Sequence, residues 1–264
     1  MMELILIYIS VGAVAGLMAG LLGVGGGLIM VPALLYAFRH AGFDESLVLH
    51  LALGTSLAII IFNAISSIRA HHKRGAVHWN LFIQLTPGIV IGSFIGAAIA
   101  DHLDTTRLQQ LFGVFAIVVG IQMLSAAKAE GRFNLPGQAG QTVAGTLIGA
   151  ISALVGIGGG SMTVPYLTAC RVVVREAVAT SSACGLPIAI ASTLGYLWIG
   201  WNNPLLPAYS SGYIHWPALV IVSIAGVFLA PVGAHLAHTL PTALLKRIFG
   251  VLLMVVGSRM LYLA

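Results

Sequence analysis

The sequence predicts an all-α integral membrane protein made of two inverted repeats, each a glycine-broken re-entrant helical hairpin followed by three transmembrane helices. Three observations carry that prediction. Hydrophobic residues make up 59% of the 264 positions and charged residues 7%, whereas a soluble domain carries about 25% charged residues. Apolar stretches fill almost the whole chain, most of them near the roughly 20 residues that a spanning helix needs. Finally, the chain repeats itself: Gly23-Val-Gly-Gly-Gly27 with Pro32 recurs as Gly156-Ile-Gly-Gly-Gly160 with Pro165.

The apolar stretches run at 4–38, 47–68, 79–100, 108–127, 141–170, 177–200, 214–237 and 244–263. The first is no signal peptide, because it is preceded by Glu3 without Lys or Arg and its counterpart lies mid-chain. The repeat extends through the later stretches. Trp79 aligns with Trp216, Gly96 with Gly233, and Phe112–Leu124 with Phe249–Leu261, identical at 8 of 13 places. The boundary between repeats falls between residues 133 and 134, so that 1–133 and 134–264 form two halves of one membrane domain.

Loop charges fix the expected topology. If all eight stretches crossed once, Arg69, Lys73, Arg74, Lys128 and Arg132 would face Arg39, Arg107, Arg171, Arg175, Lys246 and Arg247 across the membrane, five against six. That balance violates the positive-inside tendency. If 4–38 and 141–170 turn back to the side they entered, nine cations share one side (Arg69, Lys73, Arg74, Lys128, Arg132, Arg171, Arg175, Lys246 and Arg247). Arg39 and Arg107 then face the other, and Arg259 near the C-terminus does not offset the asymmetry. The hairpin arrangement places both termini outside the cytoplasm. It also gives each half three crossings, an odd number, so the second half inserts upside down. Inverted repeats with Gly/Pro-interrupted segments are the architecture of alternating access, with substrate bound near the midplane.

The glycine runs have a physical task at the break. Leu28–Phe38 is about 16 Å of helix at 1.5 Å per residue, enough to reach only the bilayer centre. Non-helical backbone at that depth needs protein or a water-filled cavity around it. Glycines allow positive φ and close approach, and Pro32 and Pro165 suit the first turn of the following helix. Two helix N-termini thus point their free N–H groups into the centre, where they favour an anion. Gly96, Gly113, Gly120, Gly233, Gly250 and Gly257 read instead as packing glycines.

The side-chain inventory agrees. No Asp or Glu follows Glu176, and each acidic residue maps to a loop or to the N-terminus, whereas an intramembrane carboxylate is the usual device for cations and protons. The interior offers Thr55, Ser56, Asn63, Ser161, Thr163, Thr180, Ser181 and Ser182, donors that suit an anion. The candidate substrate-binding set is Gly25, Gly26, Gly27, Thr55, Ser56, Gly158, Gly159, Gly160, Ser161, Thr180 and Ser181, with Pro32 and Pro165 as helix breakers. An enzyme is not expected: paired intramembrane Asp residues are absent and no interior His can serve Ser161. Nine histidines include His71-His72 and the pair His235 and His238, without a Cys or carboxylate in ligand spacing. His78 and His215, beside Trp79 and Trp216, suit interfacial anchors or a pH-dependent gate. Cys170 and Cys184 read as buried inert thiols. No cofactor, no metal and no nucleic-acid partner is implied, and the expected partners are a small anion and the lipid bilayer.

The pattern GLLGVGGGLIMVP, repeated as ALVGIGGGSMTVP, resembles the sulfite exporter TauE/SafE family, also described as sulfite, sulfonate or thiosulfate permeases. Gly54-Thr-Ser56, mirrored by Ala179-Thr-Ser181, and Gly75-Ala-Val-His-Trp79 extend the resemblance over essentially the whole chain. His78 stands where members often carry an acidic residue before the Trp, and Ala179 replaces the glycine of the second Gly-Thr-Ser. The resemblance implies a secondary transporter moving small sulfur-containing anions across the bacterial cytoplasmic membrane. A passive anion channel remains the alternative, and a metal-ion transporter a weaker one.

Overall fold

A computed structural model of the chain describes residues 2–22, 26–125, 131, 133–239 and 242–264. Among them the first half holds α1 (Met2–Leu22), α2 (Gly27–His40), α3 (Val48–Lys73), α4 (Trp79–Asp101) and α5 (Thr105–Leu124). The second holds α6 (Gln138–Val155), α7 (Gly160–Ala169), α8 (Val174–Ile199), the strands β1 (Ser210–Ser211) and β2 (Ile214–His215), α9 (Trp216–Thr239) and α10 (Thr242–Tyr262). The architecture is all-α. Five helices, α3, α4, α5, α6 and α8, are long and apolar enough to cross a membrane, which makes this a multi-pass membrane protein. The strands pair antiparallel, Ser210 with His215 and Ser211 with Ile214, in the connection leading to α9.

Helix pairing exchanges elements between the halves, and small residues set it. On α4, Gly88, Gly92 and Gly96 recur every fourth residue, and a Cβ on any of them would strike the main-chain carbonyls of Thr142, Thr146 and Ala150 on α6. On α1, Gly12 and Gly16 lie in the same way against Val222 and Gly226 of α9. The halves also join through α5 and α10, where Gly113 meets the carbonyl of Gly257 and Gly120 that of Gly250. In lipid, where hydrocarbon solvent does not drive helices together, such close backbone approach is what holds them. Here the packing glycines Gly96, Gly113, Gly120, Gly250 and Gly257 do what their sequence suggests.

These contacts also give the helix directions. Gly12 against Val222 and Gly16 against Gly226 make α1 parallel to α9, while Gly88 against Thr142 and Gly96 against Ala150 make α4 parallel to α6. Thr55 meets His215 and Asn63 lies by Gly226, so α3 runs with α9. Thr180 meets His78 and Gly195 lies against Ala97, so α8 runs with α4. Gly54 lies against Tyr196, which sets α3 antiparallel to α8, and Gly113 against Gly257 sets α5 antiparallel to α10. The short return helices fold back on their predecessors: Phe38 of α2 packs edge-on against Tyr8 of α1 with ring centroids 6.2 Å apart, and Tyr166 of α7 donates to Gln141 of α6 at 2.9 Å. The counterpart pairs in direct contact, α3 with α8 and α5 with α10, therefore run in opposite directions.

The same directions sort the helix ends. The α3–α4 connection, the start of α8, the end of α9 and the start of α10 share one end, with Arg69, Lys73, Arg74, Arg171, Arg175, Lys246 and Arg247 in the sequence there. Arg171 there bonds the Gly131 carbonyl and Asn134, each at 3.2 Å. Lys128 and Arg132 lie outside the described residues. The opposite end carries Arg39, Arg107 and Arg259 beside Asp44, Glu45, Asp101 and Asp104. There Arg39 pairs with Glu45 at 2.9 Å and Thr105 donates to the Ser46 carbonyl at 2.8 Å.

Candidate functional site

Both glycine runs break their helices through left-handed residues. α6 ends on Gly156 at φ 70, where the N–H groups of Gly156 and Ile157 both return to the Ser152 carbonyl, a Schellman-type stop. α7 then starts from Gly159 at φ 75, and α2 starts from its repeat equivalent, Gly26, at φ 74. Glycine reaches these angles without the penalty that a Cβ would bring. The Gly159 carbonyl takes the N–H groups of Met162 and Thr163 at 3.0 and 2.8 Å, and the Gly26 carbonyl those of Ile29 and Met30 at 3.1 and 3.0 Å. At α7 the N–H groups of Gly160 and Ser161 remain as first-turn donors with no backbone acceptor among the described residues.

The prolines sit differently from the sequence expectation. Pro32 and Pro165 are each the sixth residue of their helix, α2 and α7, and not in its first turn. The helices begin as soon as Gly26 and Gly159 have turned the chain, which carries the prolines into the second turn. They are therefore not the breakers. Each instead withholds an N–H from the carbonyl four residues earlier, Leu28 or Ser161, and so loosens the short helix from within.

The two breaks meet. A Cβ on Gly27 would stand 2.8 Å from the Gly156 carbonyl oxygen and 2.9 Å from the Ile157 Cα, so only hydrogen fits between the halves there. Gly158 lies against Ile60 near the centre of α3, the Gly158 carbonyl lies against Gly185 near the centre of α8, and Gly159 faces Ile188. Ser56 and Ile60 of α3 and Gly185 and Ile188 of α8 meet this crossing, with Asn63 and Ser181 on the same faces by sequence spacing. Both sets have the i, i+4, i+7 spacing of one helical face.

The structure sorts the remaining expected site residues into two groups. Thr55 is fully buried, and its hydroxyl accepts the His215 N–H at 3.0 Å. Its repeat equivalent, Thr180, accepts the His78 N–H, also at 3.0 Å. Ser56 donates to the Gly156 carbonyl at 3.1 Å, and Ser182 back-bonds to Val178. These hydroxyls hold the scaffold together. Ser161, Thr163 and Ser181 are buried with hydroxyls that have no partner among the described residues, and the buried Asn63 amide nitrogen has none there either. Gly25 lies outside the described residues.

The site is electrically neutral apart from its backbone dipoles. Among the described residues no Asp, Glu, Lys or Arg is buried, while fifteen polar residues of other types are, all hydroxyl, amide or imidazole side chains. The two histidines flanking the repeated tryptophans part company. His78 is exposed and meets Glu176 of α8 at 2.6 Å. His215 is buried among the rings of Tyr8, Phe38 and Phe43, with centroids 5.2 to 6.0 Å away, which is no interfacial position. Buried Gln109 and Gln141 carry no signal in the hydropathy pattern. Gln109 donates to the Met260 carbonyl at 2.9 Å and so ties α5 to α10, and Gln141 takes the Tyr166 hydroxyl.

Residues 8–260 match the family model described as sulfite exporter TauE/SafE. The chain is 36% identical to a probable membrane transporter protein of Haemophilus influenzae over 98% of its own length and 99% of the relative's. A probable membrane transporter protein of Methanocaldococcus jannaschii is 27% identical, covering 97% and 94%, and one of Bacillus subtilis is 23% identical, covering 97% of each. No solved structure matches the chain.

Proposed function

Because the chain belongs to the sulfite exporter TauE/SafE family, we propose that it is a secondary transporter of small sulfur-containing anions such as sulfite, thiosulfate or organosulfonates. It carries them across the cytoplasmic membrane by alternating access, binding one anion where the two glycine breaks cross. The chain is a membrane transporter by family and not an enzyme.

The observation that carries this reading is the crossing itself: two broken helices from opposite halves, in contact through Gly27 and Gly156, in a centre lined by neutral donors. A cation would find no carboxylate among the buried residues described, whereas an oxyanion finds the Gly160 and Ser161 N–H groups, hydroxyls and the positive end of α7. The opposed helix directions of the two halves support their insertion as inverted repeats. The gathering of Lys and Arg at one end supports placing that end, and not the termini, in the cytoplasm. Rocking one half against the other would expose the crossing to each side in turn.

Counterflow in proteoliposomes tests the proposal. Vesicles loaded with unlabelled thiosulfate should accumulate labelled thiosulfate transiently. Single-channel currents without counterflow would make the protein a passive anion channel.

A further inference from the structure

The two breaks are equivalent in backbone but not in side chains. The second break carries Ser161 and Thr163, and Ser181 lies one turn before Gly185 on α8; they are 9%, 0% and 1% exposed, and none of their hydroxyls has a partner among the described residues. The positions equivalent to them in the first half are Leu28, Met30 and Ser56, two apolar side chains and one hydroxyl already donated to Gly156. A buried hydroxyl left unpaired costs stability, and native proteins leave few of them without a reason.

Elsewhere in these helices the hydroxyls find a local remedy. Thr86, Thr142, Thr146, Thr168 and Ser182 each bond the carbonyl four residues back, as helical Ser and Thr commonly do. Thr163 cannot do the same cheaply, because the Gly159 carbonyl already takes the N–H groups of Met162 and of Thr163 itself. Its hydroxyl lies 3.5 Å from the point where a Gly159 Cβ would stand, against the left-handed turn that opens α7. Ser181 shares the face of α8 that carries Gly185 and Ile188 to the same turn. Of the other unpaired hydroxyls among the described residues, those of Ser93, Ser152, Ser192, Thr193 and Ser223 lie beyond the first turns of α4, α6, α8 and α9, and that of Ser210 lies in β1.

Resting on the reading of the protein as an anion transporter, we propose that the anion is held at the second break alone, by the hydroxyls of Thr163, Ser181 and Ser161 with the N–H groups at the start of α7. The site therefore lies to one side of the axis that relates the halves. The first break serves as its wall, with Gly27 pressed against Gly156 and Ile157. Each hydroxyl stays unpaired in the empty protein and donates to an oxyanion oxygen when it arrives. The ligand class is a compact oxyanion with at least three acceptor oxygens, which sulfite, thiosulfate and sulfonate headgroups supply.

Titration of sodium thiosulfate and sodium sulfite into the purified full-length protein in nanodiscs, with thermal unfolding of the same samples, tests the assignment. Thr163→Val and Ser181→Ala should each weaken binding about tenfold or more, the effect of losing a hydrogen bond to a charged group. Both should also raise the unfolding midpoint of the ligand-free protein, because an unpaired hydroxyl has gone; a hydroxyl with a structural role would lower it. Thr163→Ser should restore binding. Wild-type affinity in Thr163→Val and Ser181→Ala, while the wild type binds thiosulfate, overturns this assignment and leaves the transporter reading standing. A wild-type protein that binds neither anion overturns the transporter reading as well.

Discussion

Ser56 in the first half donates its hydroxyl to the carbonyl of Gly156 in the second, at 3.1 Å and out of contact with solvent. The bond joins the middle of a long helix to the residue on which another helix stops. The hydroxyl of its repeat equivalent, Ser181, has no partner among the described residues, and Gly23, the residue equivalent to Gly156, lies outside them. On the assignment proposed above, that difference separates scaffold from site.

Ser56→Ala should act on stability. It leaves the buried Gly156 carbonyl without this donor, which costs about 1–3 kcal/mol. Unfolding in detergent should show a lowered midpoint, and thiosulfate should still stabilise the variant. A variant as stable as the wild type would show that the bond is replaced by another partner.

Glycines pressed against another backbone, whether on a seam as Gly88 is or at the crossing as Gly27 is, should fail differently from Gly26 and Gly159. Gly88→Ala and Gly27→Ala place a methyl group against main-chain atoms of Thr142 and of Gly156 and Ile157. Backbone cannot swing aside as a side chain can, so the overpacking should cost about 1–3 kcal/mol or more and appear as lost yield of monodisperse protein. Normal yield of both would mean that the helices separate without penalty.

Sidedness can be read by labelling. In a chain whose Cys170 and Cys184 have been replaced, single cysteines beside Lys73, Lys128 and Arg247 should react only from the cytoplasmic face and one beside Asp44 only from outside. Opposite sidedness at Lys73 and Arg247 would restore an arrangement of eight single crossings and remove the inversion.

Flux should respond to voltage. A neutral site moves the anion's own charge through the membrane field, worth about 2.3 kcal/mol per charge per 100 mV. An inside-negative potential should therefore speed efflux of thiosulfate from proteoliposomes, and clamping the potential at zero should slow it. Flux indifferent to potential would require a co-ion that cancels the charge.

Much of this arrangement was legible in the sequence because it rests on composition and repetition. The apolar stretches at 47–68, 79–100 and 177–200 became α3, α4 and α8 with ends shifted by a few residues, since hydropathy marks what lipid or core must cover. The repeated glycine runs marked the breaks, because positive φ at Gly26 and Gly159 is written in the residue type. Hydropathy is blind to direction and partner, and so the exchange by which α1 packs on α9 and α6 on α4 was not visible. Pro32 and Pro165 misled for a local reason: a proline is compatible with a first turn, but the glycines before it start the helix earlier. Nor could the residue types tell which hydroxyls would be spent, as those of Thr55 and Thr180 are on backbone N–H groups of the other half.

The measurement that bears most directly on the anion site is thermal stabilisation by sulfite and thiosulfate in purified Gly159→Leu and Gly26→Leu, read beside the yield of each. A side chain at Gly159 would meet Ile188 and block the start of α7, and φ near 75 strains any residue with a Cβ. Gly159→Leu should be purifiable and show no shift with either anion. Gly26→Leu should lose its shift as well, because it distorts the wall on which the site rests. Wild-type shifts in both variants would place the anion away from the breaks.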